Sequence, residues 1–402
     1  MADKNTFKNK IISKATAWVL NHLDLIFSIL RWVKPNVVVK GNAVITRFED
    51  VTEVLDRHWV FQVPYAEKMG KVTNGHNFFL GMQDTEQYTR DVSNMRLAAR
   101  REDISEIVTP FVTNTCTDIL AASNGKMDVI QKLTRVVPTR LLGRYFGTPG
   151  WNESEFTDAA TNMFQYLFYP DDPEVEKKAL DAAEKTRNYL DQTITARKSY
   201  RGQHDDVIER CLKLQDAGMP GMTDLDIRNN LIGLIIGAIP TTSKSAAITL
   251  NHLFDNPQLL ATALQAARVD DDAAMIKYVQ ESLRLNPFAA GIQRICAEDY
   301  VVAKGTLRST KIPKGTVVLA ATQSAMMDWR KIKKPKEFRL DRPAYSYMHF
   351  GYGLHTCFGQ YINLAQIPAI VKAVLKQEGL RRVADMNVVE PFPVNLAIEF
   401  DT

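Results

Sequence analysis

FGYGLHTCFG, residues 350–359, is the most informative segment of the chain, because three glycines surround a single cysteine. Glycines at this density permit tight turns and a close approach of the backbone to a ligand. The residues that follow Cys357 are apolar at a roughly helical spacing: Ile362, Leu364, Ala365, Ile367, Ala369, Ile370 and Val374. This pattern predicts that Cys357 lies just before or at the start of a helix.

The predicted position of Cys357 bears on its chemistry. A thiolate at a helix N-terminus meets the positive end of the helix dipole and unpaired backbone N–H groups, which lower its pKa. A soft, anionic and partly shielded sulfur is what a haem iron takes as an axial ligand. The alternative is an ordinary buried core cysteine, and the residues around Cys357 weigh against it.

The segment matches Phe-Gly-x-Gly-x-His-x-Cys-x-Gly at every fixed position, and it therefore resembles the cytochrome P450 family of haem-thiolate monooxygenases. The resemblance covers the chain from about Pro35 to its end. It implies a mainly α-helical fold with minor β structure and a long central helix. The implied domains are an N-terminal amphipathic extension at residues 1–34 and a haem domain at residues 35–402.

The implied cofactor is haem b, iron protoporphyrin IX, with Cys357 as the axial ligand of its iron. By the same resemblance, Phe350, Gly351 and Gly359 shape the cofactor loop. His355 and Arg294, a strand arginine, are implied partners of the haem propionates. For Arg294 an ordinary exposed strand arginine is the alternative.

Composition agrees with a globular chain and sets limits on its partners. The 402 residues are 45% hydrophobic, which suffices for a large core, and the formal charge of +4 is too small to indicate nucleic-acid binding. The cysteines, Cys116, Cys211, Cys296 and Cys357, show no paired spacing, so a reducing cytoplasm is the simpler interpretation.

The N-terminal region is apolar between Ile11 and Val33, but Lys14, His22, Asp24 and Arg31 interrupt the run. It contains no uninterrupted apolar stretch long enough for a spanning helix, and no compact segment that ends in a cleavage site. We therefore predict an amphipathic helix. Such a helix could contact a membrane, but packing on its own domain is favoured.

The central helix is predicted from Thr223, a plausible N-cap, towards Asn251, and its apolar middle indicates burial. It contains GAIPTT, residues 237–242, which resembles the family pattern Ala/Gly-Gly-x-acid-Thr-Thr/Ser. Small residues at Gly237 and Ala238 would let the backbone pass close to the porphyrin. Thr241, and with it Thr242, matches the alcohol that helps to deliver protons to the oxygen substrate.

Pro240 takes the position of the usual acid. A proline removes the N–H that would bond the carbonyl of Ile236 and kinks the helix. The absent carboxylate removes one group from a proton relay. Either water and the threonines suffice, or the enzyme starts from a substrate that already contains an O–O bond.

A second departure concerns the propionates. Family members often carry His or Trp followed four residues later by Arg, and the matching residues are Tyr88 and Val92. Tyr88 can donate a hydrogen bond to a propionate, whereas Val92 cannot. Arg90 or Arg96 would then have to compensate, or one propionate is held differently.

Two further regions follow from the resemblance. Glu281 and Arg284, three residues apart, match a buried ion pair that braces the side of the thiolate, which is a structural role. Residues Glu174 to Arg201 are predicted as a charged, solvated helix pair at most. Residues expected to contact substrate are Phe79, Ile239, Phe288 and Ala289.

The function that the sequence favours is monooxygenation of a hydrophobic small molecule. NAD(P)H would act only indirectly, through a separate ferredoxin or flavodoxin with its reductase. A basic run, residues 330–336, could receive such a carrier, although a solvated charged surface is favoured. Alternatives are a peroxygenase, a hydroperoxide isomerase or dehydratase, and a haem sensor without turnover; nothing in the sequence favours the sensor.

Overall fold

The computed structural model describes residues 22–389 and 391–402, so Trp18 and Leu20 of the predicted N-terminal helix lie outside the described residues. The chain forms two compact units. Of the described residues, unit 1 comprises 22–62, 289–337 and 343–354, and unit 2 comprises 63–288, 338–342, 355–389 and 391–402. The predicted domain boundary between residues 34 and 35 stays a prediction.

The mainly α-helical class with minor β structure is confirmed. Within the described residues the helices are α1 Leu23–Val33, α2 Phe48–Asp56, α3 Ala66–Thr73, α4 Glu86–Ala98, α5 Thr109–Ala121, α6 Val136–Leu141, α7 Glu153–Phe168, α8 Pro173–Ser199, α9 Val207–Asp216, α10 Asp224–Phe254, α11 Pro257–Arg268, α12 Asp272–Leu285, α13 Thr322–Ala325 and α14 Gln360–Leu375. The strands are β1 Asn36–Val39, β2 Asn42–Ile45, β3 Phe61–Gln62, β4 Lys126–Asp128, β5 Ile292–Cys296, β6 Tyr300–Val302, β7 Thr310–Ile312, β8 Val317–Ala320, β9 Arg381–Arg382, β10 Asn387–Val389, β11 Phe392–Asn395 and β12 Ala397–Glu399.

Unit 1 is organised around a five-stranded sheet in the order β1-β2-β8-β5-β3. Its first two strands form a hairpin in which Val38 pairs with Ala43. Lys40 and Gly41 take positive φ values of 47° and 77° at the turn, the conformation that glycine adopts most readily. One face of the sheet packs with α2 and α13 residues into an apolar core that includes Ile45, Val51 and Phe61.

Only one side of helix α1 packs on its own domain, as predicted. Phe27 and Arg31 are buried, and the Arg31 guanidinium donates to the carbonyl and hydroxyl oxygens of Ser324 at 3.1 and 2.8 Å. The opposite side carries Leu25, Ile29, Trp32 and Val33, which are all more than half exposed. An apolar face of the helix therefore remains at the surface of unit 1.

Unit 2 is a helical bundle around α10. Thr223 caps this helix in a reciprocal capping box with Asp226, as the sequence predicted for its start, and the helix continues through Pro240 to Phe254. It packs against α7, α8, α12 and α14. By length and composition α10 could cross a membrane, but 67% of its apolar window is buried inside the protein, as in a core helix.

The sequence predicted a charged, solvated helix pair at most between Glu174 and Arg201, and the structure has a single helix there. Residues Pro173–Ser199 form one helix, α8, whose N-cap is Asp172. A row of side chains at helical spacing, Ala179, Ala183, Thr186, Leu190 and Ile194, is buried. The small residues at the start of this row let α8 pack closely on α7 without a strongly apolar sequence. Because charged residues fill many other positions of the helix, the buried row does not stand out in the sequence.

Candidate functional site

The cysteine segment reaches α14 through a tight turn. Gly353–His355 form one 3-10 turn, Gly359 is the N-cap, and α14 begins at Gln360, so the predicted position of Cys357 just before a helix is confirmed. Gly351 and Gly353 have φ values of 83° and 70°. A side chain at Gly353 would also lie 3.1 Å from the carbonyl oxygen of Leu55. Both positions therefore favour glycine.

Burial raises the pKa of the Cys357 thiol. The N–H of Gly359 and the positive charge of Arg96 have the opposite effect but do not outweigh burial. Burial thus opposes the lowering of this pKa that the sequence predicts from the helix start. Cys357 nevertheless has an exposed surface, whereas the other three cysteines are buried. Coordination to a metal would deprotonate such a thiol outright.

One side of α10 is open although most of the helix is buried. Its partly exposed residues recur at helical spacing: Leu234, Gly237, Ala238, Thr241, Lys244 and Ile248. A side-chain carbon at Gly237 would meet no other atom within 4 Å. The Thr241 hydroxyl lies on this open row and donates to the carbonyl oxygen of Gly237. Ile239, a predicted substrate contact, is fully buried and lies off the row.

Thr242 occupies a different environment from Thr241. It is fully buried, and its hydroxyl donates to Oδ1 of Asn363 on α14 at 2.9 Å. Nε2 of Gln366 donates to the Thr242 hydroxyl at 3.0 Å and to Oδ1 of Asn363 at 2.7 Å. The two threonines thus do different work: Thr242 joins α10 to the first turns of α14, and Thr241 remains beside Gly237.

Tyr88 and His355, both predicted to bind the cofactor, are brought together in unit 2. Their ring centroids are 5.1 Å apart in an edge-to-face arrangement. Burial raises the pKa of Tyr88, and Arg96 opposes the shift. The Arg96 guanidinium also lies 5.3 Å from the Phe358 ring centroid and influences the pKa of Cys357. Arg96 is therefore a cation placed between these cofactor candidates.

Arg90, the other arginine considered for the propionate, is engaged elsewhere. Its Nε donates to Oδ1 of Asp91 at 2.9 Å, and its side chain lies against Gly221. Arg96, in contrast, forms no ion pair with a carboxylate in the described part of the chain. Of the two arginines considered, the geometry favours Arg96, and the alternative that one propionate is held differently stays open.

Two phenylalanines before α4 close the open row at one end. The Phe78 ring lies so close to Gly233 that a side-chain carbon there would be 2.2 Å from it. Phe79 stacks against Phe78 with ring centroids 4.0 Å apart and lies 5.4 Å from the Phe358 ring. Phe79 therefore lies beside the residue that follows Cys357.

An aromatic cluster adjoins the other end of the row. Phe164 lies 5.9 Å from Phe288 and 6.0 Å from Phe392, measured between ring centroids. The Lys244 ammonium lies 4.5 Å from the Phe288 centroid and 5.8 Å from that of Phe392. The predicted substrate contact Phe288 is thus next to α10, and a cation lies over it.

The predicted ion pair on α12 is present and buried. Nε and Nη2 of Arg284 donate to the two carboxylate oxygens of Glu281 at 2.8 and 2.9 Å, and Arg342 adds a third contact. Burial raises the pKa of Glu281, but the hydrogen bonds and charge of Arg284, together with Arg342, outweigh it and hold the pKa below its usual value. The bracing role of the pair stays a prediction.

Four predicted site residues belong to unit 1. Arg294 is buried on β5, paired in register with Val318, and donates to the carbonyl of Gln293 at 2.9 Å. Ala289 is exposed, and Phe350 and Gly351 are partly buried. The roles predicted for these four residues stay predictions.

Sequence reasoning missed three polar residues. Asn363 and Gln366 are one turn apart in an otherwise apolar helix, and that spacing was the signal that could have found them. Lys244 interrupts the apolar middle of α10 in the same way. Each becomes informative only when its neighbours across the fold are known.

The residues present fit a thiolate-ligated haem. A sulfur with an exposed surface ends the glycine segment, and beside Gly237 the backbone of α10 leaves room for a flat ligand. Arg96, Tyr88 and His355 supply a cation and polar groups suited to propionates. This donor set suits a porphyrin whose iron takes one protein ligand.

Comparisons with known proteins agree with this geometry. The family model described as Cytochrome P450 matches residues 36–377. The chain is 22% identical over 338 residues to the mycinamicin IV hydroxylase/epoxidase of Micromonospora griseorubida, covering 83% of this chain and 81% of that protein.

A fungal relative matches in a different way. The bifunctional dioxygenase-epoxy alcohol synthase of Pyricularia oryzae is 22% identical across 98% of this chain, which spans 39% of that protein. Among solved structures, P450BioI in complex with hexadec-9Z-enoic acid ligated acyl carrier protein has a TM-score of 0.81 and 19% identity, over 96% of this chain and all of that one. At this identity the structural likeness speaks for the fold alone.

Proposed function

The chain belongs to the cytochrome P450 family, and from this premise we propose that it is a monooxygenase of a hydrophobic small molecule. The observation that carries the proposal is the position of Cys357, which lies at the start of α14 where that helix is tied to the middle of α10. When bound, haem supplies the redox chemistry that transfers one oxygen atom of dioxygen to a substrate.

In this proposal Cys357 is the axial thiolate, and the N–H of Gly359 together with Arg96 stabilises its negative charge. Arg96 also neutralises a propionate, and it thereby takes the role of the family arginine that is absent at Val92. Tyr88 and His355, edge to face, contribute polar atoms to the propionate side. Charge-assisted hydrogen bonds from an arginine to a carboxylate are among the stronger ones available.

Thr241 is the residue that holds a proton on the open row. Its hydroxyl bond to the Gly237 carbonyl leaves the oxygen lone pairs to accept from water or substrate. The partly exposed row contains no carboxylate. Proton delivery would therefore run through ordered water and Thr241, and slower turnover than with a carboxylate is expected.

The substrate is proposed to occupy the apolar side of the open row. Phe164, Phe288 and Phe392 offer aromatic surface, and Phe78 limits the space at the far end. Lys244 places a positive charge over two of these rings. An apolar chain that carries an acidic group would satisfy both features, so free acids and their methyl esters should be compared as substrates.

An acidic electron carrier, such as a ferredoxin or flavodoxin, is proposed to dock near the end of α4. Arg100 and Arg101 make no ion pair with a carboxylate within the described residues, and Arg101 stacks 4.1 Å from the Tyr361 ring centroid. In the basic run of unit 1, by contrast, Arg330 is paired with Asp328 at 3.0 Å and Lys334 with Glu337 at 2.9 Å. The arginines that follow α4 thus have more unpaired positive charge for an acidic partner than the basic run has.

The test is oxidation of a panel of fatty acids and their methyl esters under two conditions. One supplies NADPH, a ferredoxin, its reductase and dioxygen; the other supplies only hydrogen peroxide or a lipid hydroperoxide. We expect product in the first condition. Product in neither condition, from protein with a thiolate-type carbonyl spectrum, would contradict the proposal.

The second candidate function, a peroxide-dependent enzyme on the same scaffold, is favoured by one specific observation. Pro240 is buried in α10 at the position of the missing acid, so no carboxylate reaches the open row there. An enzyme that receives its oxygen already bonded to oxygen does not need that acid. Rapid product in the peroxide condition, with none from dioxygen, would select this function.

A further inference from the structure

A closed polar triangle lies next to the cysteine segment and has no role in the mechanism above. Thr242, Asn363 and Gln366 are joined by three hydrogen bonds of 2.9, 3.0 and 2.7 Å. Thr242 and Gln366 are at most 1% exposed. Thr242 and Gln366 are held in place there, because turning either side chain alone would break hydrogen bonds in a site that water does not reach.

The triangle fixes which way the Asn363 amide faces. Its oxygen, Oδ1, accepts from both Thr242 and Gln366, so the NH₂ group is directed away from the triangle. A carbon added at Gly359 would meet two atoms within 4 Å, Nδ2 of Asn363 at 3.8 Å and Sγ of Cys357 at 3.9 Å. The amide N–H groups and the sulfur therefore border the same small space beside Gly359.

The position carries an electrostatic consequence. The positive end of a fixed amide dipole stabilises negative charge on a nearby sulfur, and it does so more strongly in a low-dielectric interior than in water. A sulfur stabilised in this way gives less electron density to a metal that it coordinates. Hydrogen bonds and dipoles around cysteine ligands are among the features that set reduction potentials.

We propose that Asn363, oriented by Thr242 and Gln366, is a positioning residue that limits electron donation from the Cys357 thiolate and so raises the reduction potential of the bound haem. The inference rests on the proposed haem-thiolate function. Reduction adds negative charge to the centre, and the amide dipole stabilises the reduced state more than the oxidised one. Removing the dipole should lower the potential.

The experiment compares four holoenzyme variants with the wild type. Asn363→Leu removes the dipole at similar volume, whereas Asn363→Asp keeps the oxygen that Thr242 and Gln366 use and replaces the NH₂ group by a carboxylate oxygen. Gln366→Leu and Thr242→Val are the matched controls, because each removes one of the two donors to Oδ1 of Asn363 and leaves the other to hold the amide. The readouts are the reduction potential and the C–O stretching frequency of the ferrous carbonyl complex.

We expect Asn363→Leu to shift the reduction equilibrium about tenfold towards the oxidised form, about 59 mV for a one-electron couple. The C–O stretch should fall, since more electron density reaches the iron. Asn363→Asp should lower the reduction potential further than Asn363→Leu does, because it places a negative charge near the sulfur. The two control variants should shift the potential less than either Asn363 variant.

Equal shifts in all four variants would mean that the triangle only holds helices together, and unchanged values in both Asn363 variants would overturn the inference. A wild type without a thiolate-type carbonyl spectrum would instead refute the haem-thiolate function itself. The two failures are therefore distinguishable.

Discussion

The cysteine segment at residues 350–359 and the middle of α10 at residues 237–242 preserve the family pattern to different degrees. The cysteine segment has every fixed residue, and Gly351 and Gly353 adopt the positive φ values that the turn requires. The α10 segment keeps Gly237 and Thr241 but has Pro240 where an acid is usual. The cysteine segment thus keeps the family pattern, whereas the α10 segment departs from it at the position linked to proton delivery.

The comparison separates two requirements that one site must meet. Ligation needs a sulfur at a defined position, which a local turn can supply. Proton delivery needs a chain of groups whose pKa values and spacing match the reaction, and several arrangements with water can meet that need. A change in the second region therefore alters the chemistry without removing the cofactor.

The largest effect is expected from Cys357→Ser. The hydroxyl that replaces the thiol is a poor ligand for haem iron, so the red-shifted Soret band of the ferrous carbonyl complex should disappear. The glycine turn and α14 should remain, because the sulfur makes few packing contacts. Absorption and far-UV circular dichroism measure both. A thiolate-type spectrum that survives the change would refute the ligand assignment.

Pro240→Asp tests the second region directly. A carboxylate at this position restores the acid of the family pattern, and we expect turnover driven by dioxygen to rise by about 10²-fold, the lower end for a general acid. Pro240→Asn is the control, because it restores the backbone N–H without the acid. A similar gain in both variants would assign the effect to helix geometry. Product formed per enzyme per minute, with dioxygen and NADPH supplied, is the measurement.

The contrast between the two neighbouring threonines can be sharpened by valine substitutions. Thr241→Val removes the hydroxyl on the open row and should lower product per NADPH roughly tenfold, with little loss of stability. Thr242→Val should act mainly on stability, at a cost of about 1–3 kcal/mol, because it removes two hydrogen bonds in a buried site. Denaturant unfolding and product yield separate the two. Equal losses of yield would contradict the distinction.

The smallest effect concerns His252, near the C-terminal end of α10. Burial lowers the pKa of its ring, although Asp255 opposes the shift, and its Nδ1 lies 2.8 Å from Nδ2 of Asn286. The unfolded chain then takes up a proton at a higher pH than the folded chain. The contribution of neutral His252 to the stability of the fold is present above the ordinary histidine pKa of about 6.5 and is lost as the pH falls below that value.

The unfolding free energy should fall less between about pH 7.5 and 5.5 in His252→Phe than in the wild type, by a difference under about 1 kcal/mol. Denaturant titrations of both proteins at each pH give the difference. An unchanged slope would show that His252 titrates alike in the folded and unfolded states.

Local patterns could be predicted from the sequence, and long-range partners could not. The start of α14 after Cys357 and the cap of α10 at Thr223 follow from residues close in sequence. The choice between Arg90 and Arg96 does not, because Asp91 and Gly221 decide it through packing. Two further features depended on neighbours that no local pattern specifies: the burial of Ile239 and the polar triangle around Thr242.

The apolar face of α1 has an optical consequence. Trp32 is 70% exposed on that face, between Leu25, Ile29 and Val33. An indole in water emits at longer wavelength than one covered by apolar groups, so its fluorescence would report whatever settles there. The other four tryptophans, Trp18, Trp59, Trp151 and Trp329, would have to be replaced by phenylalanine for a clear signal. The chain thus carries a built-in reporter for this surface.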